Sequence, residues 1–174
     1  MKKTLTMICF VILSFVCTVN VKADVKITIN KATQLVQVTD GENVLRCFPC
    51  STGKNNCTPR GNFKTSDYYR QWHALYKGKF AYGAIRFYKN VLIHSVPYTK
   101  QSLNCLELEE FNKLGSEASM GCVRVSGSDM TWLLNNTKPG DKVVVIDDPG
   151  LEWVSDHKIP LTRGTGLGSD PTLK

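Results

Sequence analysis

Apolar and polar residues alternate with a period of two along much of this chain, which predicts strands more often than helices. Val25, Ile27 and Ile29 alternate with Lys26, Thr28 and Asn30, the pattern of a half-buried strand. Leu35-Val36-Gln37-Val38 predicts a second strand and Asp40-Gly41 a hairpin turn, with residues 44–50 returning. Residues 51–61 are rich in Gly, Asn and Pro and predict a loop. Two more strands are predicted over residues 82–88 and 91–94, joined at Lys89-Asn90. His94 then falls at a strand end, where binding groups are often presented.

Residues 99–119 form a long connection, with a short helix predicted at Leu106-Glu107-Leu108-Glu109-Glu110-Phe111. A connection this long reads either as a lid over a binding site or as a surface insertion. Ser126-Gly127-Ser128-Asp129 has the form of a capping box, and Met130, Leu133 and Leu134 share one face of the helix that follows. Trp132 reads as core packing. Pro139-Gly140 ends that helix, and Val143-Val144-Val145-Ile146 predicts a buried strand. From Asp147 the chain holds five glycines and prolines before Leu167 and reads as irregular. Many strands beside one substantial helix predict an α+β fold that is mainly β.

The N-terminus changes the picture of where such a domain works. Lys2 and Lys3, an apolar run over residues 5–19 and the small residues around Lys22 predict a signal peptide over residues 1–23. The run is short against the ~20 residues a bilayer core takes, so no stable membrane insertion is expected after cleavage. Bulky Phe15 and Val16 argue against a lipid anchor at Cys17. The expected location is beyond the cytoplasmic membrane, in the periplasm or cell wall. One domain is expected over residues 24–150, with a C-terminal extension over 151–174. About 150 residues suffice for one well-buried core. The net charge is +7, and removing Lys2, Lys3 and Lys22 leaves +4. That balance suits approach to an anionic wall and is also ordinary for a soluble protein. No interleaving of basic and aromatic residues points to nucleic acid.

Cys47, Cys50, Cys57, Cys105 and Cys122 remain beyond the predicted signal, and an odd count leaves at least one thiol free. Cys122 is the natural candidate. The other four either form two disulfides, with three connectivities, or stay reduced. Cys47 and Cys50 are three apart in a predicted strand and should face opposite ways. Cys57 and Cys105 lie in loop-like segments and could meet. No Cys/His spacing suggests zinc, and no metal is expected.

Candidate chemistry centres on Ser119-Met120-Gly121-Cys122-Val123-Arg124 and on His94-Ser95-Val96-Pro97-Tyr98. A thiol becomes a strong nucleophile when a neighbouring histidine takes its proton. Gly121 lets backbone N–H groups approach a reacting carbonyl, so the amides of Met120, Gly121 and Cys122 are candidate oxyanion donors. A thiol paired with His94 should ionise below a free cysteine. Arg124 lies two residues beyond Cys122, on the same face of an extended chain, and either binds a carboxylate bidentately or is a plain surface arginine. Tyr98 and Tyr88 are candidates for a substrate pocket, with core packing as the alternative. Met120 needs no chemical role for its side chain. His73 and His157 have no cysteine motif nearby and read as surface or loop histidines.

These segments, in this order, resemble a known family. Ile93-His94-Ser95-Val96-Pro97-Tyr98, Asn112-Lys113-Leu114-Gly115 and Ala118-Ser119-Met120-Gly121-Cys122-Val123-Arg124 are similar to the active-site signature of the L,D-transpeptidases. Cys50-Ser51-Thr52-Gly53-Lys54, Thr58-Pro59-Arg60-Gly61-Asn62-Phe63, Asp129, Trp132-Leu133 and Gly140-Asp141-Lys142-Val143-Val144-Val145 resemble its flanking segments. The likeness runs over residues 25–146. The family's cysteine motif usually has histidine where this chain has Met120, and often asparagine where it has Arg124.

The resemblance implies a β-sandwich-like catalytic domain over residues 24–150, with a helix following the cysteine motif. It implies Cys122 as nucleophile, His94 as base, and the Ser95 carbonyl as the acceptor that sets the imidazole tautomer. It further implies a peptidoglycan cross-linking enzyme that forms 3→3 links between stem peptides through a thioester. No cofactor is implied, and carbapenem-type inhibitors are expected to react. An L,D-carboxypeptidase and an inactive wall-binding protein of the same fold are the alternatives. A papain-like peptidase is disfavoured because its Cys-Gly-Ser-Cys-Trp segment is missing.

Overall fold

The computed structural model describes residues 24–158 and 166–173. The predicted signal peptide lies outside the described residues. In chain order the strands are β1 (Val25–Asn30), β2 (Leu35–Asp40), β3 (Asn43–Pro49), β4 (Gly61–Lys64), β5 (Tyr69–Ala74), β6 (Phe80–Tyr88), β7 (Val91–Ser95), β8 (Pro97–Tyr98) and β9 (Leu106–Glu107). Then come helix α1 (Leu108–Phe111), β10 (Val123–Val125), helix α2 (Gly127–Asn136), β11 (Lys142–Ile146) and β12 (Leu167–Gly168).

Two sheets form a sandwich. One has the order β3-β2-β1-β11-β4. The other runs β10-β7-β6-β8-β9-β12, with β5 also pairing to β6. Ile27, Ile29, Val36, Val38, Val143 and Val145 of the first sheet meet Ile85, Phe87, Ile93, Val123 and Val125 of the second. Met130 and Leu133 of α2 complete this core, as the spacing predicts. Leu134 and Trp132 pack against it, half-buried. Each fully buried aliphatic side chain contributes roughly 1.5–3 kcal/mol. The fold is therefore mainly β, as the alternation predicts, and the sandwich that the resemblance implies.

The short strands β4, β5, β8, β9, β10 and β12 escape the periodic reading. β4 and β5 carry few apolar residues and pair on one side only, with β11 and β6 respectively. An edge strand needs no continuous apolar face, so its pattern is weak.

β7 and β10 run parallel. Parallel neighbours need a crossover of a dozen residues or more, which accounts for the long connection. Its middle is β9 followed by the single turn of α1, a shorter helix than expected.

At the start of α2, the Ser126 hydroxyl accepts from the Asp129 amide at 3.1 Å. The Asp129 carboxylate, fully buried, does not reach back to close the box. It accepts from the Ser126 hydroxyl (2.5 Å), pairs with Arg46 (3.0 Å) and lies 3.2 Å from His157 Nε2. His157, expected to be an ordinary loop histidine, thus packs the C-terminal segment against the start of the helix. Asp156 adds hydrogen bonds to both backbone groups of Cys47. Further on, β12 pairs with β9, and buried Asp170 accepts the Tyr98 hydroxyl at 2.7 Å. The tail that reads as irregular is docked at both described stretches.

Candidate active site

The parallel register sets His94 directly beside Arg124 on neighbouring strands. Cys122 immediately precedes β10. Its Sγ accepts the Leu92 amide at 3.4 Å and donates to the Asn90 carbonyl at 3.8 Å, so it sits against the start of β7. Cys122, His94 and Arg124 all open onto one cavity of about 600 Å³. His73, Lys79, Glu107 and Glu110 line its other walls. Exposed Met120 also lines it, at 80% exposure far from a core space-filler.

His94 is buried rather than at a cavity mouth. Its Nδ1 lies 2.6 Å from the Ser95 carbonyl oxygen. A carbonyl only accepts, so Nδ1 carries the hydrogen and Nε2 keeps a free lone pair. Burial pushes the imidazole down to about 4, against the raising effect of the Ser95 bond and with Arg124 adding to the depression. Burial also pushes the Cys122 thiol up, while the Leu92 amide and Arg124 pull it the other way. The resting pair is therefore neutral thiol and neutral imidazole. This overturns the expectation of a thiol that ionises below a free cysteine, because desolvation penalises both charged forms.

The loop carrying Cys122 is clamped by the Thr52–Thr58 region. Ser51 and Gly53 bridge to Arg124 and Ser119. The Thr58 hydroxyl accepts from the Gly53 amide (2.7 Å) and donates to the Gly121 carbonyl (2.9 Å). Gly121 has φ +128°, which a side chain rarely tolerates. A Cβ on Gly53 would lie 2.9 Å from Gly121 Cα and N and 2.4 Å from Cys57 Sγ. Buried Lys31 holds this loop through the carbonyls of Asn56 and Thr58.

Of the three amides expected to face an oxyanion, the structure removes one. The Gly121 amide donates to Ser119 Oγ at 3.0 Å. The amides of Met120 and Cys122 have no acceptor among the described residues.

Arg124 does face the cavity, with its side chain 15% exposed. Its guanidinium is bonded by Glu110 of α1, which also binds Lys113. Burial works against ionisation of Glu110, but the bonds from Lys113 and Arg124 outweigh it and hold the carboxyl below its usual range. Thr58 and Ser119 lie in motif segments but nothing there gives them a role, and Glu110 lies in none. The partners of Glu110 and Thr58 lie 14 and 63 residues away, whereas Ser119 bonds the Cys122 carbonyl within its own motif.

The two tyrosines are not at the cavity. Tyr98 is fully buried beside Trp72, with its hydroxyl on Asp170. Tyr88 packs on Phe63 at 4.8 Å between ring centres. Both follow the core-packing alternative. His73, expected to be a surface histidine, lines the cavity and bonds the Tyr68 hydroxyl at 2.7 Å. Burial and then Arg86 lower its ionisation. Cys47, Cys50, Cys57, Cys105 and Cys122 are all free thiols. Cys57 lies against Gly53, whereas Cys105 sits in the turn between β8 and β9, so the pairing of these two is not formed.

YciB of Bacillus subtilis, which bears the L,D-transpeptidase name provisionally, is 29% identical over 126 residues, covering 68% of this chain and 64% of that protein. Among solved structures, an L,D-transpeptidase from Mycobacterium smegmatis superposes with a TM-score of 0.58 at 22% identity, covering 71% of this chain and 58% of that one. LdtMt1 in complex with imipenem gives 0.60 at 20% identity, covering 71% and 59%. At these identities the structural likeness is one of fold, and this chain spans 58–64% of the length of these three relatives. The family model of the L,D-transpeptidase catalytic domain (YkuD) matches residues 24–145, from the first strand of the sandwich to the last core residue of β11. By that match, and by a sandwich of the same fold, the chain belongs to the L,D-transpeptidase catalytic-domain family.

Proposed function

We propose that this protein is an exported L,D-transpeptidase that joins peptidoglycan stem peptides by 3→3 links through a thioester on Cys122. One arrangement supports this above all. Cys122 and His94 open onto one cavity, and the Ser95 carbonyl holds His94 Nδ1, so Nε2 is free to accept a proton.

In this reading Cys122 attacks the carbonyl of the third stem residue as its proton passes to His94 Nε2. The tetrahedral oxyanion is met by the Met120 and Cys122 amides. The C–N bond breaks, the terminal D-alanine leaves with the proton from His94, and a thioester remains. The side-chain amine of a second stem then attacks the thioester, His94 takes its proton, and the thiol returns. Arg124 meets a carboxylate of the stem. His94 acts as a general base at the moment of attack, because the resting thiol is protonated. Water as acceptor in the second step would give an L,D-carboxypeptidase.

Incubation with purified disaccharide tetrapeptides, read by mass, tests this. Dimers formed with loss of alanine are expected, and Cys122→Ala should give none. A carbapenem should add to the wild-type protein and not to the alanine variant. Wild-type protein that neither cross-links nor trims the tetrapeptide overturns the proposal. Export is checked by the mass of the protein recovered from outside the cytoplasmic membrane, expected to begin at Asp24.

A further inference from the structure

Arg124 is the cation beside the thiol, and it already holds an anion. Glu110 gives one carboxylate oxygen to Arg124 Nη1 and the other to Lys113 Nζ. The lysines lining the cavity are engaged elsewhere: Lys79 pairs with Glu107 at 2.6 Å, and Lys77 lies over the Tyr76 ring. Arg124 Nε is buried with no partner. A guanidinium has five N–H donors in a planar fork, and a carboxylate is best held by two of them. Glu110 therefore uses less than this arginine can offer.

Glu110 can also leave cheaply. Its side chain is 25% exposed and that of Lys113 is 44% exposed. On leaving Arg124 it keeps Lys113 and water, so no buried charge is stranded. It sits on a single helical turn, which has little stability of its own.

We infer that Glu110 is a specificity-determining residue: an internal carboxylate that competes with the ligand's carboxylate for Arg124, and so sets how tightly acidic stem ligands dock. This rests on the proposed reading of Arg124 as the partner of a stem carboxylate. An incoming carboxylate takes the fork bidentately, and Glu110 swings to Lys113. The terminal carboxylate is the group that exchanges, so a stem ending in an amide leaves Glu110 in place.

The test is equilibrium binding in the Cys122→Ala background, by calorimetry, with a tetrapeptide stem ending in free D-alanine and with the same peptide ending in D-alaninamide. Glu110→Gln should tighten the acid roughly three- to five-fold and leave the amide unchanged. In Arg124→Gln the further change Glu110→Gln should have no effect on either peptide, and Lys113→Gln alone should not tighten the acid. Equal tightening of both peptides would mean that Glu110 blocks entry rather than competing, and it overturns the inference. Unchanged or weaker acid binding in Glu110→Gln overturns it as well. Neither peptide binding the parent protein, together with absent turnover in the wild type, overturns the transpeptidase reading itself and the inference with it.

Discussion

The Nδ1 of His94 stands 2.6 Å from the carbonyl oxygen of Ser95, so the backbone of the next residue sets this imidazole's tautomer. The base of the proposed reaction is thereby Nε2. His94→Gln keeps much of the side-chain volume but loses the basic nitrogen. Acylation by a tetrapeptide, followed in single turnover, should slow by ~10²–10⁴-fold. A rate within twofold of wild type, in a variant with native circular dichroism, would remove His94 from the mechanism.

The neutral resting pair has a kinetic signature. Burial raises the Cys122 thiol, so alkylation by iodoacetamide should rise with pH along an ionisation above that of a free cysteine, near ~8.5. Arg124 lowers that ionisation, and Arg124→Gln should move the curve further up. His94→Gln should barely move it, since His94 carries no charge above about 4. A wild-type curve centred below the free-cysteine value contradicts this account.

His94 also predicts acid sensitivity. The folded protein protonates it only near 4, against 6.5 for the ordinary imidazole. The unfolded chain therefore binds the proton first as pH falls. The stability this confers is fully present above 6.5 and is lost as pH drops through 4, amounting to ~3 kcal/mol. Urea unfolding at pH 7.5 and pH 4 should show a larger loss in wild type than in His94→Gln. Equal losses would mean that His94 is not buried in its neutral form.

Gly53 and Thr58 clamp the loop that carries Cys122 from outside the Cys122–His94 pair. Gly53→Ala places a methyl 2.9 Å from Gly121 backbone atoms, which must shift. Destabilisation of ~1–3 kcal/mol is expected, with a fall in kcat. Adding Cys57→Ala removes the sulfur contact but not the backbone one, so rescue should be partial. Thr58→Val strands the Gly53 amide and should cost about 1–3 kcal/mol, while Thr58→Ser should be near wild type. Thermal unfolding with parallel turnover checks all four proteins, and a stable, fully active Gly53→Ala would show that the clamp is slack.

Local pattern made much of this molecule legible. The alternation at Val25, Ile27 and Ile29 marks β1, and Met130 with Leu133 marks the buried face of α2. Both are short-range consequences of strand and helix geometry. Cys122, His94 and Arg124 could be singled out because their motifs are contiguous, and the parallel register brings them to one cavity. β4 and β5 were not legible, because an edge strand shows half a pattern or less. The docked tail was not legible either. Its anchors, Asp156 on Cys47, His157 on Asp129 and Asp170 on Tyr98, join residues 28 to 109 positions apart.

Taken alone, then, the sequence determined a mainly β fold, the helix after the cysteine motif and the residues that could do chemistry. Only the tertiary structure decided their state. It made thiol and imidazole neutral, committed the Gly121 amide to Ser119, laid Glu110 on Arg124 and sent Tyr98 into the core. The reason is physical. Period and motif are properties of neighbours along the chain. Desolvation and ion pairing depend on what lies across space, and here that is supplied by a crossover and a tail remote in sequence.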